Sequence, residues 1–267
     1  MYSFHYHAPA TLAEAQRLFA ETDDPIYMAG GMTLIPTMKQ RLAQPSDVID
    51  LAALHDLHGI AVNADYVRVG ALTTHNQVAE HQHVRQVLPV LAQVAVGIGD
   101  NQVRNRGTLG GSLANSDPAA DYPAAVVALG ASVVTSHRRI DADEFFIDLF
   151  ETALKPNEII LSVEFPIPKR AAYAKFANQA SGYAVVGVLV ADFGAHIRVG
   201  VTGAGPCAFR GRGIEQLLEE DLSAAVLRDF EVPSAGFNSD MHASAEYRAH
   251  LVGVMSRRAV QQLKEAL

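Results

Sequence analysis

One cysteine, Cys207, is all that the 267 residues contain, and its isolation excludes several kinds of chemistry. A lone thiol cannot close an intrachain disulfide, ligate an iron–sulfur cluster or build a cysteine-rich zinc site. Any such centre would have to sit on another chain. Basic residues are also in the minority, with 21 Lys and Arg against 29 Asp and Glu and a formal charge of −8. No Lys/Arg stripe tracks a phosphate backbone, so nucleic acid is not an expected partner. Long apolar runs are missing too. The longest, around Pro123 to Val134 and Ala184 to Phe193, fall short of the roughly 18–20 residues that span a bilayer, and no transmembrane segment is expected. The opening Met1-Tyr2-Ser3-Phe4-His5-Tyr6-His7 has neither the basic nor the apolar region of a secretory signal, which points to the cytoplasm.

What is present is the balance of a folded chain: 49% hydrophobic residues, 19% charged, 20 Gly and 12 Pro. Disorder is excluded for most of the length, and one large or two to three small units are expected. Thr11 with Glu14 makes a capping-box signature, and Leu12, Ala15, Leu18, Phe19 and Thr22 follow at helical spacing. Ile26 to Ala29 reads as a short strand ending at Gly30-Gly31, Leu34 to Leu42 as a helix, and Val48 to Asp50 as a strand. A second region opens with the strand Val67 to Gly70, runs through helical patterns at 74–80 and 85–97, and reaches a dense turn from Gly107 to Pro123. From about 132 strands dominate, at 133–135, 159–165, 171–176, 183–191 and 196–201, and without helices between them they should pair antiparallel. The chain turns helical after Gly213. Tyr247, Leu251, Met255, Ala259 and Leu263 form one apolar stripe on a closing helix, with Glu246, Arg248, Arg257 and Lys264 off it.

Two stretches carry chemistry. Met28 to Leu34 passes from strand to helix through paired glycines, which let a ligand approach the backbone; unpaired N–H groups and the Thr33 hydroxyl would then face an anion. The same glycines also suit a plain tight connection. Arg104 to Asp121 concentrates glycine, hydroxyl, amide and carboxylate groups without apolar periodicity, so it reads as a ligand-lining loop. There Gly110-Gly111 offers backbone donors, Ser112 and Asn115 polar side chains, and Asp121 an acceptor for ribose hydroxyls. An Asx-rich loop satisfying itself is the alternative. Two such segments suit an extended pyrophosphate ligand held from both sides.

Other motifs are negative. There is no Gly-x-Gly-x-x-Gly after a strand and no Walker-type Gly-Lys-Ser/Thr, and Pro206 interrupts Gly203-Ala204-Gly205, so a Rossmann domain is disfavoured. His5 with His7, and His81 with His83, have an H-x-H spacing that would share one face of a strand, but neither pair has a third ligand, and no metal site is expected. Cys207 has no nearby base, and there is no Gly-x-Ser-x-Gly elbow. Tyr183, at the start of an apolar strand, suits either core packing or contact with a flat heteroaromatic ligand.

Three segments together carry a resemblance: Ala29-Gly30-Gly31-Met32-Thr33-Leu34-Ile35-Pro36, then Val103-Arg104-Asn105-Arg106-Gly107-Thr108-Leu109-Gly110-Gly111-Ser112, then Asp117-Pro118-Ala119-Ala120-Asp121. They closely resemble the FAD-binding medium subunit of molybdenum hydroxylases, the carbon monoxide dehydrogenase and xanthine dehydrogenase type. Glu158 to Val163 is similar to that family's strand near the flavin, and Asp240 to Arg248 to its C-terminal signature, so nearly the whole chain is covered.

The resemblance implies an α+β architecture. A PCMH-type FAD-binding fold of two α/β-type subdomains, residues 1–55 and 56–170, would be followed by a C-terminal α+β domain at 171–267. By carry-over, Ala29, Gly30, Gly31, Met32, Thr33 and Leu34, with Thr108, Gly110, Gly111 and Ser112, would hold the pyrophosphate and ribityl chain of FAD. Asn115, Asp117 and Asp121 would line the flavin cleft, Ile160 and Lys175 would lie near the isoalloxazine ring, and Tyr183 would stand beside it. Met32 replaces a frequent His, Ser181-Gly182-Tyr183 a usual Gly-Asp-Tyr, and Gln179 lies near a common Arg. No catalytic base is implied. The expected role is electron transfer in a complex with a small subunit bearing iron–sulfur clusters of the 2Fe–2S type and a large molybdopterin subunit, as a doubled heterotrimer. A self-contained flavin oxidase and a module that has lost its flavin are the alternatives.

Overall fold

The computed structural model describes residues 1–265. The chain begins with β1 (His5–His7), α1 (Leu12–Glu21), β2 (Pro25–Met28), α2 (Leu34–Lys39) and β3 (Asp47–Asp50). The three strands form a parallel sheet in the order β1-β3-β2. The Thr11 hydroxyl caps α1 by accepting the Glu14 N–H at 3.2 Å, while the Glu14 carboxylate takes the N–H of Ala10. The capping box is thus half realised, its return bond shifted by one residue. This unit shares its core: Ala15, Ile49, Leu51 and Leu54 pack with Leu72 and Ile159, which arrive from the middle of the chain.

The middle of the chain holds β4 (Ile60–Val62) and β5 (Tyr66–Gly70), then α3 (His75–Glu80), α4 (Gln82–Val87), α5 (Pro89–Val96), α6 (Asn101–Arg106), α7 (Leu109–Asn115) and α8 (Tyr122–Leu129). It continues with β6 (Ser132–Thr135), β7 (Arg139–Asp141), α9 (Ala142–Phe145), the ribbon β8 (Phe146–Asp148) and β9 (Glu151–Thr152), and β10 (Ile160–Pro166). Five of these strands make an antiparallel sheet, β4-β5-β10-β6-β7. The pattern predicted as one helix over 85–97 breaks at Leu88, where Pro89 opens α5, because proline is tolerated in a first turn and not inside a helix. His81 and His83 lie in this helical region rather than on a strand, and the His81 imidazole caps α4.

The stretch Gly107 to Pro123 is not one continuous loop: only 116–121 between α7 and α8 remain as a turn. Helix α7 forms at 109–115, since the Thr108 hydroxyl accepts the Gly111 N–H at 3.1 Å and Leu109 and Leu113 are fully buried. A cap and two buried leucines outweigh the low helix propensity of the adjacent glycines. All eight residues of α8 are buried, which accounts for the apolar run from Pro123. Burying Val126 and Leu129 contributes about 1.5–3 kcal/mol each.

The last part contains β11 (Arg170–Ala177), β12 (Ala184–Asp192), β13 (Ile197–Thr202), β14 (Phe209–Arg210), α10 (Arg212–Glu220) and α11 (Ala245–Glu265). The strands form an antiparallel sheet in sequential order. Helix α11 covers β11 and β12 while α8 packs on β13 and β12, so every residue of β12 is buried. Gly200 permits the approach of α8, because a Cβ there would overlap the Ala124 carbonyl. The closing stripe needs one correction: Leu251, Met255, Ala259 and Leu263 are buried, but Tyr247 is 44% exposed and Arg248, placed off the stripe by spacing, is only 4% exposed. Its guanidinium is drawn inward by the carbonyls of Val185 and Gly203, each 2.8 Å away, and by Asp240. No described helix is long and apolar enough to cross a membrane.

Candidate functional site

The site grows from the turn after β2. The parallel sheet delivers Met28 to an edge, and Ala29 to Thr33 then cross to α2, with Gly31 in the left-handed region at φ 72°. Among the described residues, no protein acceptor takes the N–H of Gly30, Gly31, Met32, Thr33 or Leu34, and the Thr33 side chain does not cap α2. Met32 and Thr33 are exposed. Five successive backbone donors are therefore left unpaired in one turn, an arrangement suited to a phosphate-bearing ligand.

The second glycine segment lies directly against the first. Gly30 rests on the Arg106–Gly107 peptide, so that any Cβ would overlap the Arg106 carbonyl, and a Cβ on Gly111 would meet that of Ala29 at 3.4 Å. The two segments, about 80 residues apart in sequence, are thus one surface. Their roles differ from the expectation, however. The Leu109 and Gly110 N–H groups donate to the carbonyls of Thr73 and Ala71, and that of Gly111 to Thr108. Gly110 and Gly111 therefore supply no free donors. Their lack of a side chain lets α7 press on Ala71 and Ala29. What α7 does offer are the side chains of Ser112 and Asn115, half-buried, without a hydrogen-bond partner among the described residues and three residues apart on one helical face.

The chain leaves α7 through Ser116, in the left-handed region at φ 46°, and presents Asp117 and Asp121. Burial raises the Asp117 carboxyl above its ordinary range, against the pull of the Ala119 N–H. Asp121 is 4% exposed and accepts from the Tyr173 hydroxyl at 2.6 Å and from Lys175 Nζ at 2.9 Å; Nζ also donates to the Gly97 carbonyl. Burial raises the Asp121 carboxyl, and Lys175 and Tyr173 partly reverse it. Lys175 and Asp121 are therefore committed to each other. Tyr173 was not anticipated, although its spacing of two from Lys175 on one strand puts both on the same sheet face.

Tyr183 is 47% exposed at the start of β12. Burial of the other half raises its hydroxyl, reinforced by the charges of Asp117 and Asp121. Ala184 holds this strand end to the loop through its N–H, 3.2 Å from the Ala119 carbonyl. Ile160 differs from the rest: its side chain is buried in the core of the middle sheet, which leaves only its backbone to face a ligand. Behind the site, His75 packs against Tyr122 with ring centroids 5.3 Å apart, and burial brings its imidazole down to about 4, assisted by Arg104.

These residues fit FAD. The turn at Gly30 to Leu34, with its unpaired N–H groups, could take a pyrophosphate, Ser112 and Asn115 could hydrogen-bond a polyhydroxyl chain, and the half-exposed Tyr183 ring could meet an isoalloxazine. Among the described residues no group of three or more His, Cys, Asp or Glu could hold a metal ion.

Known proteins similar to this chain identify its family. Residues 2–168 match the family model described as the FAD binding domain in molybdopterin dehydrogenase. The chain is 36% identical to the nicotine 6-hydroxylase medium subunit of Paenarthrobacter nicotinovorans, over 97% of this chain and 96% of that one. It is 33% identical to the carbon monoxide dehydrogenase medium chain of Hydrogenophaga pseudoflava, over 96% of each. Among solved structures, a chain of the reconstituted CO dehydrogenase from Oligotropha carboxidovorans superposes with a TM-score of 0.89 at 30% identity, over 100% of this chain and 99% of that one.

Proposed function

This chain belongs to the FAD-binding medium subunits of molybdenum hydroxylase complexes, and from that premise we propose that it is the electron-transfer subunit of such a complex. In this reading electrons come from 2Fe–2S clusters on a small partner subunit, substrate is oxidised at a molybdopterin on a large one, and an external acceptor takes the electrons away. FAD when bound supplies the exchange between single-electron and paired-electron carriers.

The chain's own residues position rather than catalyse. Gly30 to Leu34 would bind the pyrophosphate through their N–H groups, with Thr33 adding a hydroxyl. Thr108, Gly110 and Gly111 hold α7 against that turn, and Ser112 and Asn115 would orient the ribityl chain. Asp121 and Lys175 neutralise each other beside the cleft, Asp117 and the Ile160 backbone would border it, and Tyr183 would shield one side of the ring. The observation that carries this is the row of five unpaired donors held against the end of α6 by the contact of Gly30 with Arg106 and against α7 by that of Ala29 with Gly111. We place the assembly in the cytoplasm as a doubled heterotrimer, with units at 1–55, 56–170 and 171–267.

Purification tests it. The chain alone is expected to bind FAD and turn over no substrate, and to sustain electron flow once the small and large subunits are added. A chain that takes up no FAD removes the reading. Substrate turnover by the chain alone would favour a self-contained oxidase.

A further inference from the structure

The ribbon of β8 and β9 turns at Ile147-Asp148-Leu149-Phe150, and the apolar side chains of Ile147, Leu149 and Phe150 are each more than half exposed. Large apolar residues gathered at one exposed tip mark a contact surface. The root of the ribbon is firm. Phe145 and Phe146 are buried with their rings edge to face at 5.0 Å, and the Ala153 N–H donates to the Phe145 carbonyl.

Phe150 stands in the left-handed region at φ 55°. A bulky side chain there costs free energy that glycine would avoid. No burial within the chain offsets that cost, because Phe150 is 58% exposed. Strain kept at an exposed aromatic points to recognition of something outside the chain.

Charge selects the occupant. Asp141, Glu144, Asp148 and Glu151 are exposed around the tip, whereas the neighbouring Arg138 and Arg139 are engaged by Glu158 and Glu164. An acidic rim repels both an anionic lipid surface and the same ribbon of a second copy. It fits an apolar socket bordered by Lys and Arg on a different chain.

Position narrows the choice further. The ribbon leaves the fold at the C-terminal end of α8, where the Ala142 N–H meets the Ala131 carbonyl and Arg198 joins the Val127 carbonyl to Asp143. Asp121 and the proposed flavin cleft lie at the other end of that eight-residue helix, about 12 Å away along its axis. A subunit that feeds electrons to the flavin has to reach the cleft end. The ribbon end is left to the larger partner.

We infer that the Ile147 to Phe150 tip docks the large partner subunit by inserting into an apolar socket with a basic rim. The inference rests on the reading of this chain as the medium subunit of a three-chain complex.

Binding of the full chain to the purified large subunit and to the small one is measured by biolayer interferometry, with flavin content recorded first. Phe150→Gly relieves the strained angle and removes the ring. It is expected to raise the urea midpoint of the chain while weakening its affinity for the large subunit about tenfold. A residue that only supported the fold would move both in the same direction. Ile147→Asp should weaken that affinity similarly at an unchanged midpoint, and Asp148→Lys/Glu151→Lys should slow association, most at low salt. Flavin content and small-subunit binding should stay at the unmodified chain's level throughout. Large-subunit affinity that ignores Phe150→Gly and Ile147→Asp, or loss of the small subunit in place of the large one, overturns the docking surface and leaves the flavin reading standing. A flavin-free chain whose large-subunit affinity still depends on Phe150 supports the docking surface and overturns the flavin reading alone.

Discussion

Gly30 lies so close to the Arg106 carbonyl that even a methyl group at Gly30 would overlap the oxygen. That contact joins two glycine segments from distant parts of the sequence, and the proposed cofactor surface exists only while it holds. Gly30→Ala is therefore expected to separate the segments, costing about 1–3 kcal/mol by overpacking and most of the bound flavin. Gly97→Ala is the control. There φ is −73° and the nearest atom to a Cβ is 3.4 Å away, so stability should stay level or rise by about 0.5 kcal/mol. The flavin-to-protein ratio and urea midpoints of the two variants check this.

Thr108 acts on the site through α7. Thr108→Ala should cost about 1 kcal/mol by loss of the cap and loosen flavin binding, whereas Thr108→Ser should preserve both. Gly111→Val should release flavin as well, because its side chain would crowd Thr108 and Ala29, while the C-terminal sheet stays folded. Normal flavin content in the valine variant would contradict the packing role.

Asp121 and Lys175 form a pair that is all but closed to solvent, their side chains 5% and 12% exposed. Removing one partner strands a buried charge, so Asp121→Ala should destabilise by about 3–5 kcal/mol. The double variant Asp121→Ala/Lys175→Met should cost less than the two single changes summed. A denaturation cycle over the four proteins measures that coupling.

His75 sets an acid limit. Its imidazole titrates near 6.5 when free and at about 4 in the fold, chiefly because burial disfavours the charged form. The unfolded chain binds the extra proton across that interval, so stability falls as pH drops from about 6.5 to about 4, by about 3 kcal/mol in all. His75→Gln cannot take the proton and should flatten that part of the curve in pH-dependent urea titrations.

Strands and amphipathic helices were legible in the sequence because alternation and helical spacing report burial on one face. Elements buried on every side were not. Helix α8 has no polar face, so its periodicity is silent, and α7 was hidden by glycines that usually mark loops. In the site, the residues followed from motif resemblance, but their division of labour did not. Gly110 and Gly111 look like phosphate donors until their N–H groups are found bonded to Ala71 and Thr108. Arg248 escaped for a related reason, since the carbonyls that satisfy it lie more than 40 residues away.

Helix α8 is contributed by the middle of the chain yet supplies the floor on which the C-terminal sheet lies. A cut at residue 170 would leave one face of an apolar helix bare on the first fragment and uncover β12 and β13 on the second. Moving residues 122–129 with the C-terminal strands does not solve this, because α8 also lies in one core with Val67, Val133 and Val163. Residue 170 therefore ends a stretch of sequence without ending a unit of packing.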